Sequence, residues 1–98
     1  MLPRTKLSEI TPIVFCRQFK ALETGMKMEQ VIMAENERGT FKEYCLILSR
    51  ELEVPFETVK SNWGAGIEFP NMPPRIRSLL KYVLDSRTAE LIGKRQVA

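Results

Sequence analysis

Pro55 constrains this chain more than any other residue. Apolar side chains at helical spacing flank it: Tyr44, Cys45, Leu48 and Leu52 before, Val59 and Trp63 after. Without the proline, residues 41–63 would read as one long helix. Proline has no amide hydrogen and clashes with the preceding turn inside a helix, yet it suits the first helical position well. The spacing therefore predicts two helices, at about 41–52 and 55–63. Glu53 and Val54 form the turn between them.

Two helices joined this tightly must cross closely. Ser49 offers a small side chain at the crossing, and Leu52, Val54 and Val59 offer apolar anchors on both sides of the turn. The set Ser49, Leu52, Val54, Thr58 and Val59 resembles the helix-turn-helix of bacterial DNA-binding regulators. The resemblance is confined to residues 48–63, and Glu53 stands where that family usually has glycine. It implies that the second helix lies in the major groove of double-stranded DNA. Its outward side chains would then be Phe56, Glu57, Thr58, Lys60, Ser61 and Asn62. Asn62 would read adenine, Glu57 would accept from cytosine, and Lys60 would meet guanine or phosphate. Thr58 and Ser61 would bind phosphate oxygens. Phe56 would meet a thymine methyl or pack inward. One reading helix makes too few contacts for specific recognition, so a homodimer is expected.

Affinity for DNA comes mainly from phosphate attraction, and the reading helix supplies only Lys60 against Glu57. The missing charge lies further on. From Pro73 onward the bases are Arg75, Arg77, Lys81, Arg87, Lys94 and Arg95, and the acids are Asp85 and Glu90. Through Met72 acids slightly outnumber bases. Arg75, Arg77 and Lys81 would grip the backbone beside the groove. An N-terminal arm, residues 1–10, adds Arg4 and Lys6.

The rest of the chain reads as helix. Thr11 and Pro12 make a helix start, and Ile13, Val14, Cys16, Phe19 and Leu22 form an apolar stripe that Gly25 should end. Residues 26–36 favour helix, with Met26, Met28 and Met33 as gap-fillers in a small core. Thr40 and Glu43 fit a capping box opening the helix at 41–52. After an apolar loop around Phe69, Ile76, Leu79, Leu80, Val83 and Leu84 mark one face of a basic amphipathic helix at 73–92, with Gly93 as its stop. Its stripe is the candidate dimer seam. No segment alternates like a strand. The expectation is an all-α compact bundle of about five helices containing the helix-turn-helix, with residues 11–98 as a single domain.

Catalytic and metal chemistry find no support in the residues. There is no histidine, so the commonest general base and metal ligand is missing. Cys16 and Cys45 are the two cysteines, both in apolar helical stretches, and read as reduced core thiols. Glu35/Glu37 and Glu51/Glu53 read as solvated surface. No cofactor is expected, and no run is apolar enough for a membrane span. The start lacks a signal peptide's apolar block, so a cytoplasmic location is the default expectation. The leading expectation is a sequence-specific, dimeric DNA-binding transcriptional regulator and not an enzyme. The alternative is a non-catalytic module that docks a protein partner through the Met-rich or the C-terminal helix without touching DNA.

Overall fold

The computed structural model describes residues 10–64 and 66–97, with side chains as far as Ile92. The basic arm with Arg4 and Lys6 lies outside the described residues, as do the side chains of Lys94 and Arg95. Among the described residues the fold is all-α. Helices α1 (Pro12–Thr24), α2 (Met28–Ala34) and α3 (Thr40–Leu52) come first. A π-helix (Thr58–Trp63) follows, then α4 (Pro74–Arg77) and α5 (Leu80–Val97). No helix of the described residues is long and apolar enough to cross a membrane.

Helix α1 begins and ends as its sequence dictates. The Thr11 hydroxyl accepts from the Val14 amide, Pro12 takes the first position, and Gly25 adopts a left-handed φ of 76° that returns its amide to Ala21. Phe15, Cys16 and Phe19 are fully buried on its inner face. Helix α1 packs against α2, α3 and α5. The core is completed by Tyr44, Cys45, Ile47 and Leu48 of α3, Val59 and Trp63, Phe69 and Met72 of the apolar loop, and Leu80 and Leu84 of α5. Cys16 and Cys45 are free, buried thiols.

Four expectations need correction. Thr40 is not a cap. Gly39, at φ 96°, takes that position, and the Thr40 hydroxyl instead donates to the carbonyls of Ala34 and Glu37, closing the turn after α2. Glu43 is thereby freed to pair with Lys20 at 2.9 Å.

The helix expected at 73–92 is broken between α4 and α5, because the Ser78 hydroxyl donates to the Arg75 carbonyl at 2.8 Å and favours a tight turn there. Helix α5 then continues through Gly93 to Val97. A glycine weakens a helix but stops it only when its backbone turns left-handed.

The methionines near α2 do not fill the core. Met28 and Met33 are 36% and 73% exposed. Only Val31 of this seven-residue helix is buried, since it meets the bundle along one short edge.

Of the four carboxylates read as solvated, Glu37 and Glu53 are exposed, but Glu35 and Glu51 are engaged. The Glu35 side chain is 8% exposed and the Glu51 side chain 11%. Glu35 receives Arg17 in a two-pronged pair at 2.6 and 2.9 Å. Glu51 receives Arg50 at 3.0 Å and Arg87 at 3.5 Å. Both arginines also lie over the Phe19 ring, at 5.6 and 5.9 Å from its centroid, which joins α3 and α5 to α1.

Candidate nucleic-acid interface

The backbone breaks where Pro55 requires it. Glu53 turns left-handed, at φ 56° and ψ 46°, and ends α3. The amides of Glu53 and Val54 both donate to the Ser49 carbonyl. The Ser49 hydroxyl in turn donates to the Val54 carbonyl at 2.6 Å. Ser49 therefore closes the turn with its hydroxyl as well as permitting a close crossing. The Pro55 carbonyl then accepts from Thr58 and Val59 and opens the next helical segment.

That segment was expected as α-helix over 55–63. It begins as one turn at Phe56 and Glu57 but runs as π-helix from Thr58 to Trp63. Thr58 and Val59 are β-branched and favour the α-helix weakly. The far end is fixed from outside. The Asn71 amide donates to the Trp63 carbonyl at 3.0 Å, and Gly64 lies so close to Phe41 that an added Cβ would sit 3.0 Å from its ring. Tertiary contacts, not local propensity, set the pitch here.

Val59 is fully buried and Trp63 is 5% exposed. Between and before these anchors, Glu57, Lys60, Ser61 and Asn62 are exposed, while Phe56 and Thr58 are half-buried. Phe56 packs against the core, so the inward alternative holds for it. The Ser61 hydroxyl donates to Glu57 at 3.3 Å. The π-helix packs on α3. Burial pushes the Cys45 thiol up to about 11, and the nearby Lys60 ammonium pulls it the other way.

The three bases beyond Pro73 differ among themselves. Arg75 is exposed. Arg77 is half-buried and directs its guanidinium to the carbonyls of Pro70 and Met72, at 3.4 and 3.5 Å. Lys81 pairs with Asp85 one turn along α5, at 2.8 Å. Much of the expected dimer stripe is spent on the core. Leu80 and Leu84 are buried and Ile76 and Val83 are packed against the core, which leaves Leu79 at 48%, Tyr82 at 71% and Ile92 at 46% exposure.

Sequence reasoning missed two residues beside this surface. Phe41 and Lys42, in the first turn of α3, face Phe56 and Lys60 across a cleft. The signal was present but unread: both pairs combine a ring with an ammonium, and only the turn at Glu53 brings them together. No metal-holding group of acidic or cysteine side chains occurs among the described residues. Comparison with protein-family models, with curated proteins and with solved structures yields no match.

Proposed function

We propose that the chain is a DNA-binding regulator that reads the major groove of double-stranded DNA with residues 56–62, through a helix-turn-helix at 41–63, and acts as a homodimer. The observation that carries this reading is the open polar surface of Glu57, Lys60, Ser61 and Asn62. It stands on a segment anchored in the core by buried Val59 and Trp63. Asn62 supplies the paired donor and acceptor that adenine requires, and Lys60 and Arg75 supply charge for phosphate or guanine. Lys81 would exchange Asp85 for a phosphate oxygen, and Arg77 would first have to leave the loop carbonyls. Leu79, Tyr82 and Ile92 are the exposed apolar side chains left to a dimer seam among the described residues.

Replacing Lys60 and Asn62 together with alanine tests the reading. Both are exposed, so the helical circular dichroism and the melting transition stay as they were, while retention on mixed duplex DNA at low salt is lost. Wild-type binding weakens steeply as salt rises, because phosphate contacts release counterions. Unchanged retention in the double variant removes the proposed reading surface.

A second reading has its own support. Met28, Ile32 and Met33 expose apolar surface along α2, with Met33 at 73%. Such adaptable side chains suit a docking face for a protein partner. A wild-type chain that ignores duplex DNA even at low salt favours this reading over the first.

A further inference from the structure

We infer that the cleft lined by Phe41, Lys42, Phe56 and Lys60 binds a small aromatic carboxylate. Its volume is about 270 Å³. That lies just below the usual range of ligand pockets, which begins at roughly 300 Å³. The space suits one fused ring system and is too small for a folded peptide.

The lining supplies both halves of such a ligand's chemistry. Phe41 and Phe56 present apolar rings for a flat body. Lys42 and Lys60 are exposed, and neither has an acidic partner among the described residues. The other described lysine and arginine side chains of α1, α3 and α5, namely Arg17, Lys20, Arg50, Lys81 and Arg87, are paired. Two ammonium groups without acidic partners at one apolar cleft favour an anion there. A neutral aromatic would leave both charges without a partner. A bare inorganic anion would leave the rings unused.

The cleft is built before any ligand arrives. The Phe41 ring stacks on buried Phe69, with centroids 5.6 Å apart and planes at 18°. Gly64 backs the same ring so closely that an added Cβ would sit 3.0 Å from it. Phe56 rests on the core from the other side of the turn. Little ordering remains to be done on binding, which lowers its entropic cost. The site stands without the DNA reading, although both use Lys60. Where both hold, a bound carboxylate would draw Lys60 away from DNA.

The test is a titration of isotope-labelled protein with naphthoate, followed by amide chemical shifts, and a parallel titration with neutral naphthalenemethanol. No DNA is present, so failure here leaves the DNA proposal standing, and the reverse also holds. Naphthoate is expected to give saturable shifts centred on Phe41, Lys42, Phe56 and Lys60. The Lys42→Gln, Lys60→Gln double variant, with both changes at exposed positions, is expected to bind naphthoate about tenfold more weakly and the alcohol equally well. Shifts centred elsewhere, absence of saturation, or equal naphthoate affinity in wild type and double variant overturns the assignment.

Discussion

The Tyr44 hydroxyl donates to Glu35 Oε2 at 2.7 Å, and Arg17 Nε donates to the same oxygen at 2.6 Å. The other carboxylate oxygen takes Arg17 again, at 2.9 Å. One side chain in the turn after α2 thus ties α1 to α3. Residues 17, 35 and 44 are far enough apart in sequence that this triad forms only when three helices have assembled. It orients α3, and α3 in turn carries the turn that presents the polar surface at 57–62.

Acid should loosen the fold through this carboxylate. The Arg17 guanidinium holds the Glu35 carboxyl below its usual range, with the Tyr44 hydroxyl helping and burial opposing. On acidification the unfolded chain therefore takes up the proton first, at the ordinary carboxylate pKa of about 4.3. Stability present above that point is lost as pH falls toward the lower folded value. Glu35→Gln is expected to cost about 2 kcal/mol at neutral pH, the range for hydrogen bonds to charged groups. It is also expected to flatten the acid limb of stability against pH. Denaturant unfolding across that range checks both, and an acid limb as steep in Glu35→Gln as in wild type counts against the triad.

Val59 fixes which side of the short helix faces the core. It is fully buried beside Trp63 and Leu48. Val59→Asp places an uncompensated charge there and is expected to lose at least about 3 kcal/mol. Val59→Ala, which leaves only a small cavity, is expected to lose about 1–2 kcal/mol. Thermal melts followed by circular dichroism separate the two. A Val59→Asp chain as stable as wild type would show that the inward face is misassigned.

What the sequence made legible was local. Thr11, Pro12 and Gly25 bound α1 through their own backbone chemistry, and Pro55 breaks the chain at the place its missing amide demands. Val59 and Trp63 sit inward because their spacing has no other face to use. Glu35 was misread because its burial depends on Arg17 and Tyr44, which periodicity does not connect to it. Thr40 was misread because its hydroxyl serves the preceding turn, and Gly39 already holds the cap. The π-helical pitch and the Phe41–Phe56 cleft depend on contacts from Asn71, Gly64 and Phe69, all outside the segment concerned.

Glu53 carries a strain that the turn requires. Its φ of 56° is left-handed, and its side chain is exposed. A side chain in that region costs about 1–2 kcal/mol, because Cβ crowds the following carbonyl oxygen. Glycine removes the clash but gives the unfolded chain more freedom, an opposing effect of about 0.4–1 kcal/mol. Glu53→Gly is therefore expected to gain about 0.5–1 kcal/mol. Glu53→Ala keeps the Cβ and is expected to gain nothing. Two-state denaturation of both variants measures the difference directly. A gain in Glu53→Ala equal to that in Glu53→Gly would trace the effect to lost carboxylate charge beside Glu51, and a loss in Glu53→Gly would mean that this backbone angle is not the source of strain. The turn geometry itself is unchanged in Glu53→Gly, since the Ser49 hydroxyl still holds the Val54 carbonyl. Its polar surface at 57–62 should consequently bind whatever it binds in the parent chain, now from a more stable support.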